Sequence, residues 1–122
     1  MDKFLNYLNR IEQLIKNKKH DEAWRIANEG LLELAKDNNE MWFAMYYQMA
    51  IILAREKKWQ NALEKMGYLV YYLKGVGGAT HEKFILRLLK KIKKEDKFKE
   101  YIKLAIQEKP QNFGKSLSDL LK

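Results

Sequence analysis

The side chains able to carry covalent chemistry are few in this chain of 122 residues. Cysteine is absent, which removes thiolate nucleophiles, disulfides, zinc–thiolate sites and iron–sulfur clusters. Serine occurs only at Ser116 and Ser118, threonine only at Thr80, and histidine only at His20 and His81. A hydrolytic triad would have to assemble from Ser116, His81 and a carboxylate, and no spacing in the sequence favours it. The 16 carboxylates include no Glu-x-x-His pattern, so Glu29 and Glu33, one helical turn apart, read as a solvated helix face. The segment Lys74-Gly75-Val76-Gly77-Gly78-Ala79-Thr80 leads into a helix start, where anions can bind. It follows a helix instead of a strand and lacks the Gly-Lys-Ser/Thr ending of a nucleotide loop, so it reads as a flexible joint. His81 reads as a solvated residue. No catalytic, cofactor-binding or metal-ligating set is expected, and the chain is read as a binding protein without enzymatic activity.

Charge is the stronger chemical signal. Lysine and arginine number 24 against 16 acids, a formal +8. Residues 1–79 carry 12 basic and 10 acidic groups, net +2, whereas residues 80–122 carry 12 and 6, net +6. Helical spacing aligns Lys83, Arg87, Lys90 and Lys94 on one side of a helix. Such a row is either a solubilising face or a site for a carboxylate-rich or phosphorylated partner. Nucleic acid is the less favoured alternative, because no recognisable nucleic-acid motif accompanies the row.

The elements that would position these groups follow from apolar spacing of three and four. Phe4, Leu5, Leu8, Ile11, Leu14 and Ile15 make the first stripe, broken by Asn17-Lys18-Lys19-His20. Asp21 is the expected cap of a second helix facing inward through Ala23, Ala27, Leu31 and Leu34. A third helix is expected from Glu40 to about Lys58 and a fourth from Trp59 to Leu73, stopped by Gly75. Thr80 caps a fifth, Phe98 to Gln107 forms a sixth stopped by Pro110, and Gly114 to Leu121 forms a last short one. No segment alternates with period two. The expected class is all-α in a single domain spanning 1–122, with 47% hydrophobic and 33% charged residues fitting a globular chain. An aliphatic run such as Met49–Ala54 spans six residues, far short of the roughly 20 needed to cross a bilayer. No membrane insertion and a cytoplasmic location are therefore expected.

The helices come in pairs with a common spacing. His20, Trp59 and Phe98 are each 39 residues apart. The same step relates Ala23, Ala62 and Tyr101, then Ala27, Met66 and Ala105, then Ile11, Ala50 and Leu89. Around the turn, Lys-Lys-His-Asp-Glu-Ala is echoed by Lys-Lys-Trp-Gln-Asn-Ala.

These blocks resemble the tetratricopeptide repeat, whose second helix opens on an aromatic-Asp-Glu-Ala signature. His20-Asp21-Glu22-Ala23-Trp24 is similar to it, and Trp59-Gln60-Asn61-Ala62-Leu63 is a looser version. The large–small pair of the first helix is present at Met49-Ala50 and lost at Arg10-Ile11 and Leu88-Leu89. The resemblance covers residues 4–109, with a period of 39 in place of the family's usual ~34. Armadillo and HEAT repeats, at about 40–47 residues, remain alternatives with the same helical-pair architecture. It implies a right-handed α-solenoid of three antiparallel helix pairs, roughly 3–38, 39–77 and 80–109, with a capping helix over 111–122.

The resemblance also implies a concave groove lined by the first helix of each pair. Its positions would be Leu5, Leu8, Glu12 and Lys16, then Ala44, Tyr47, Ile51 and Arg55, then Lys83, Leu86, Lys90 and Lys94, with Arg87 beside the lysine row. Such a groove is apolar at one end and basic at the other, suited to a protein or peptide with acidic residues. Glu12 and Ile51 stand where the family's chaperone-tail clamp has asparagines, which argues against chaperone tails. The aromatics Trp42, Phe43, Tyr46, Tyr47, Tyr68, Tyr71 and Tyr72 cannot all face one core. They form either a homodimer or partner surface or simple packing under a flanking helix.

Overall fold

The apolar stripes become helices whose ends are set by local hydrogen bonds. The computed structural model describes residues 2–122, and among them the structure is all-helical. Seven α-helices follow one another: α1 Lys3–Lys16, α2 His20–Lys36, α3 Met45–Arg55, α4 Trp59–Leu73, α5 Ala79–Lys91, α6 Phe98–Gln107 and α7 Pro110–Leu120. Asp2 opens α1 by accepting the Phe4 N–H at 2.8 Å, which satisfies one of the free donors of the first turn.

Several helix ends differ from the sequence expectation. Asn39 accepts the Met41 N–H at 2.8 Å, an Asx turn that delays the third helix, so Trp42–Ala44 is a 3-10 turn before α3. α2 and α5 begin after Lys19 and Gly78, without a side-chain cap from Asp21 or Thr80. Pro110 both ends the previous segment and opens α7 from its first turn, where a missing N–H costs nothing. The last helix therefore begins four residues before Gly114.

One turn geometry recurs. α1, α2, α3, α4 and α5 all end on a residue in the left-handed region: Lys18, Asn38, Lys57, Lys74 and Lys93, with φ between 56° and 62°. At Lys57 the N–H donates to Ala54 O (3.0 Å) and the next N–H, of Lys58, donates to Leu53 O (2.9 Å). That pair of bonds defines a Schellman cap, which satisfies two carbonyls of the last turn. Lys18 and Lys57 lie 39 residues apart, and the residues after them share φ/ψ near −96°/65° and −94°/71°. The third turn departs: Lys93 comes three residues too early for the same step, and Glu95–Lys97 fills the gap as a 3-10 turn. After α4 it is Lys74, not Gly75, that takes the left-handed conformation, while the Gly75 N–H closes the cap on Val70 O.

The core forms two contiguous clusters. One joins α1, α2 and α3 through Ile11, Ile26, Leu34 and Met45; the other surrounds α4 through Leu63, Met66, Leu88 and Phe113. α4 packs against α3, α5, α6 and α7, and α6 leans on α4 far more than on its sequence neighbour α5. Two details make that possible. Tyr101, fully buried where the other copies have Ala23 and Ala62, donates its hydroxyl to Leu63 O at 2.6 Å. Phe113 of α7 lies so close over Gly67 that a β-carbon there would sit 2.1 Å from the ring.

Among the aromatics, neighbours in sequence part company. Trp42, Phe43, Tyr46 and Tyr72 pack on one another, with Trp42 and Tyr72 centroids 4.7 Å apart. Tyr47 turns the opposite way, towards His81 (4.9 Å) and Phe84 (5.6 Å).

Glu33 is more than a solvated face. It accepts the Tyr7 hydroxyl and pairs with Lys3 at 3.1 Å, while Lys3 also reaches Asp37 at 2.6 Å. The Tyr7 bond is the main cause that holds the Glu33 carboxyl below its usual range, Lys3 adding to it. The same bond, helped by partial burial, pushes the Tyr7 hydroxyl up to about 12. These groups clamp α1 to α2.

Two outcomes follow from these local arrangements. Lys57→Gly relieves a left-handed lysine and is expected to stabilise the chain by about 0.5–1 kcal/mol, read as a higher Tm. An unchanged or lower Tm would contradict the turn. Because the folded-state Glu33 titrates below the ordinary glutamate value, its contribution is present above that value and is lost as pH falls through the lower folded one. Glu33→Gln should therefore lower Tm at neutral pH and flatten the fall of Tm on acidification; an equally steep fall would place the acid sensitivity elsewhere.

Candidate functional site

Much of the open space lies along the exposed side of α3, while a separate cavity of about 480 Å³ lies between α2 and α4 beside Asp21, Glu56 and Glu64. α1 and α2 enclose Met45, Met49 and Ile52 of α3, α4 packs along Ala50 and Leu53, and helical geometry leaves Tyr47, Ile51 and Arg55 on the remaining face. Three adjoining cavities meet at Tyr47.

The largest, about 730 Å³, lies between α1 and α3 and is lined by Glu12, Ile15, Lys16, Lys18, His20, Ile51 and Arg55 beside Tyr47 and Gln48. The second, about 490 Å³, lies between α3 and α5; its aromatic walls are Tyr47, Trp59 and Phe84 and its cations Arg55, Arg87 and Lys91. The third, about 380 Å³, is mostly apolar, lined by Phe4, Leu8, Met41, Phe43, Ala44, Leu69 and Leu73 together with Tyr47, Gln48, His81 and the Glu12 carboxylate it shares with the first. One end of this surface is therefore greasy and the other basic.

Two of the cations are held by rings. The Arg87 guanidinium lies 5.8 Å from the Phe84 centroid and the Lys91 ammonium 5.5 Å from that of Trp59. Around the two basic cavities Lys16, Lys18, Arg55, Arg87 and Lys91 face one carboxylate, that of Glu12. Among the described residues none of these five cations forms an ion pair; the pairs involve Lys3, Arg25, Lys58 and Lys122 instead.

Gln48 sits at the junction of the apolar and the largest cavity. Only 7% of it is exposed, yet its amide makes no hydrogen bond to any described residue. No fully enclosed side-chain polar atom lacks a partner among the described residues, so the amide opens onto the cavities it lines. A donor and an acceptor stand ready there without an intramolecular partner.

The structure brings Leu8, Glu12, Tyr47, Ile51, Arg55 and Arg87 to these cavities. It places Lys83, Leu86, Lys90 and Lys94 outside their linings, and Lys94 Nζ instead donates to the Lys122 main-chain oxygen at 3.2 Å. The reason is the register of α5. Its buried stripe is Phe84, Ile85, Leu88 and Leu89, and docking that stripe leaves Phe84, Arg87, Leu88 and Lys91 as the edge next to α3. Lysines flank the stripe on both sides, so sequence alone does not choose between them. Gln48, Trp59, Phe84 and Lys91 were not among the expected site residues. Gln48 had a readable signal, being the one amide within the otherwise apolar and aromatic run Met45–Ala54.

The hydroxyl and imidazole groups are engaged separately. Ser116 Oγ donates to Glu108 at 2.7 Å, whereas His81 Nδ1 lies 3.0 Å from Val76 O. A carbonyl only accepts, so Nδ1 carries the proton and His81 ties down the glycine loop. His81 is half-buried against Tyr47 rather than solvated. Among the described residues no three His, Asp or Glu side chains come together as a metal site, and no helix is long and apolar enough to cross a membrane.

Comparison with protein-family models, with curated proteins and with solved structures gives no match for this chain.

Proposed function

We propose that the chain is a non-catalytic protein-interaction module, a small tetratricopeptide-like α-solenoid, whose α1–α3–α5 face binds an acidic peptide or protein segment. The observation that carries this reading is the charge imbalance at the cavities. Five cations surround aromatic and aliphatic walls, with Glu12 as the one carboxylate lining them. Arginine forks such as those of Arg55 and Arg87 suit carboxylates, and partial desolvation against aromatic walls strengthens such pairs. The apolar cavity beside Leu8 and Tyr47 supplies anchoring area, which gives affinity where the cations give orientation and rate.

The recurrence of the turn at Lys18 and Lys57 supports the repeat organisation, and the displaced turn at Lys93 fits a degenerate third copy. The mechanism is recognition, with no bond-making step, and the chain is read as a cytoplasmic scaffold component that needs no cofactor.

An amide-resolved NMR titration tests the reading, using an eight-residue peptide with leucine at one end and glutamates at the other, its glutamine-substituted version, and a short single-stranded oligonucleotide. The acidic peptide is expected to shift Tyr47, Ile51, Arg55 and Arg87, and Arg55→Glu with Arg87→Glu should weaken it at least tenfold. The glutamine version should bind much more weakly. A stronger, salt-sensitive response to the oligonucleotide centred on Lys83, Lys90 and Lys94 would overturn the reading in favour of nucleic acid. A stable dimer in sedimentation with these cavities closed would overturn it in favour of self-assembly.

A further inference from the structure

The groove carries information about the conformation of its ligand, and not only about its charge. Resting on the proposed peptide-binding role, we infer that the α1–α3–α5 face takes an extended segment whose main chain is read by the Gln48 amide, with an apolar residue on one side and an acidic residue about three to four positions away.

The argument begins with what Gln48 lacks. Its side chain is 7% exposed, opens onto two cavities and has no hydrogen-bond partner among the described residues. In the free chain that leaves solvent entering these cavities as its partner. A ligand that displaces that solvent must return one donor and one acceptor, or leave a nearly buried amide unsatisfied. A peptide unit presents such a pair, N–H and C=O, only where its own main chain has not used them. In an α-helix the interior N–H and C=O groups are already bonded to one another. A helical ligand would offer Gln48 side chains alone, whereas an extended one leaves its amides free along its whole length.

Spacing along α3 then sets the pattern. Gln48 and Arg55 are seven residues apart on one helix, which at about 1.5 Å per residue separates their Cα atoms by roughly 10 Å along the axis. An extended chain covers that distance in about three residues, at about 3.3 Å each. On the other side of Gln48 lies the apolar cavity of about 380 Å³, walled by Leu8, Phe43 and Leu73. Beyond Arg55 lie Arg87 and Lys91, held over Phe84 and Trp59. Apolar contact, amide reading and carboxylate pairing thus occur in a fixed order along α3. The charge complementarity selects an acidic segment, and the free amide selects an extended one.

Selection from a displayed library of random eight-residue peptides on the full chain tests this, with the Arg55→Glu/Arg87→Glu double variant as a parallel target. The expected consensus is an aliphatic or aromatic residue three to four positions away from Asp or Glu, in one chain direction throughout. For a synthetic peptide of that consensus, N-methylation of the main-chain amide next to the apolar residue should weaken binding about tenfold. Gln48→Leu should do the same for the parent peptide and should add no further loss for the N-methylated one. Enrichment of apolar residues at helical spacing, with binding indifferent to N-methylation and to Gln48→Leu, would overturn the extended-ligand inference while leaving the peptide-binding role standing. Equal enrichment on wild type and on the double variant, with no acidic consensus, would overturn both.

Discussion

The burial of α4 on nearly all sides is the constraint from which the rest of the arrangement follows. Helices α3, α5, α6 and α7 all lean on it, and each does so through a particular concession in the sequence. Ala62 is small enough to be wholly enclosed, Gly67 leaves room for the Phe113 ring, and the Leu63 carbonyl takes the hydroxyl of the deeply buried Tyr101. That hydroxyl would be costly to enclose without a partner, and burial pushes its pKa well up. With α4 taken up on its flanks, α3 has its back covered and its other face free. Tyr47, Gln48, Ile51 and Arg55 occupy that face or its edge for this reason, and the cavities form between it and the flanking helices α1 and α5.

Charge is distributed in a way that net composition hides. The +8 of the chain is concentrated in its last third, yet the lysines that make it most basic, around Lys90 to Lys94, mostly point away from the cavities. What matters at the site is a smaller group drawn from three helices and one turn: Lys16, Lys18, Arg55, Arg87 and Lys91. Cation–π contacts pre-position two of them, which would lower the ordering cost of pairing with an anion. The remaining lysines act over a longer range, as a positive field that is screened by salt.

How far the sequence was legible depended on whether a feature was periodic or relational. The helices were legible, because stripes such as Ile11, Leu14 and Ile15 or Phe84, Ile85, Leu88 and Leu89 repeat at three and four residues. The Lys-Lys-His and Lys-Lys-Trp turns were also legible, and they share backbone geometry 39 residues apart. Features decided by a single hydrogen bond were not. Asn39 diverts the chain into a 3-10 turn, and Pro110 opens a helix as readily as it closes one. The face of α5 was ambiguous because cations border its apolar stripe on both sides, so Lys83, Leu86, Lys90 and Lys94 looked as eligible as Arg87 and Lys91. Gln48 escapes a groove pattern spaced by helical turns, which steps from Tyr47 to Ile51.

The central claim is that the free face of α3 is a recognition surface for an acidic, extended segment. The most direct measurement is an isotope-filtered NOE experiment on labelled protein with an unlabelled apolar–acidic peptide. The account predicts cross-peaks from the peptide main-chain amides to the Gln48 side-chain NH₂, and from its apolar side chain to Leu8 and Phe43. Cross-peaks confined to Tyr71 and Tyr72 or to the Lys83–Lys90 side of α5, with none at Gln48, would contradict it.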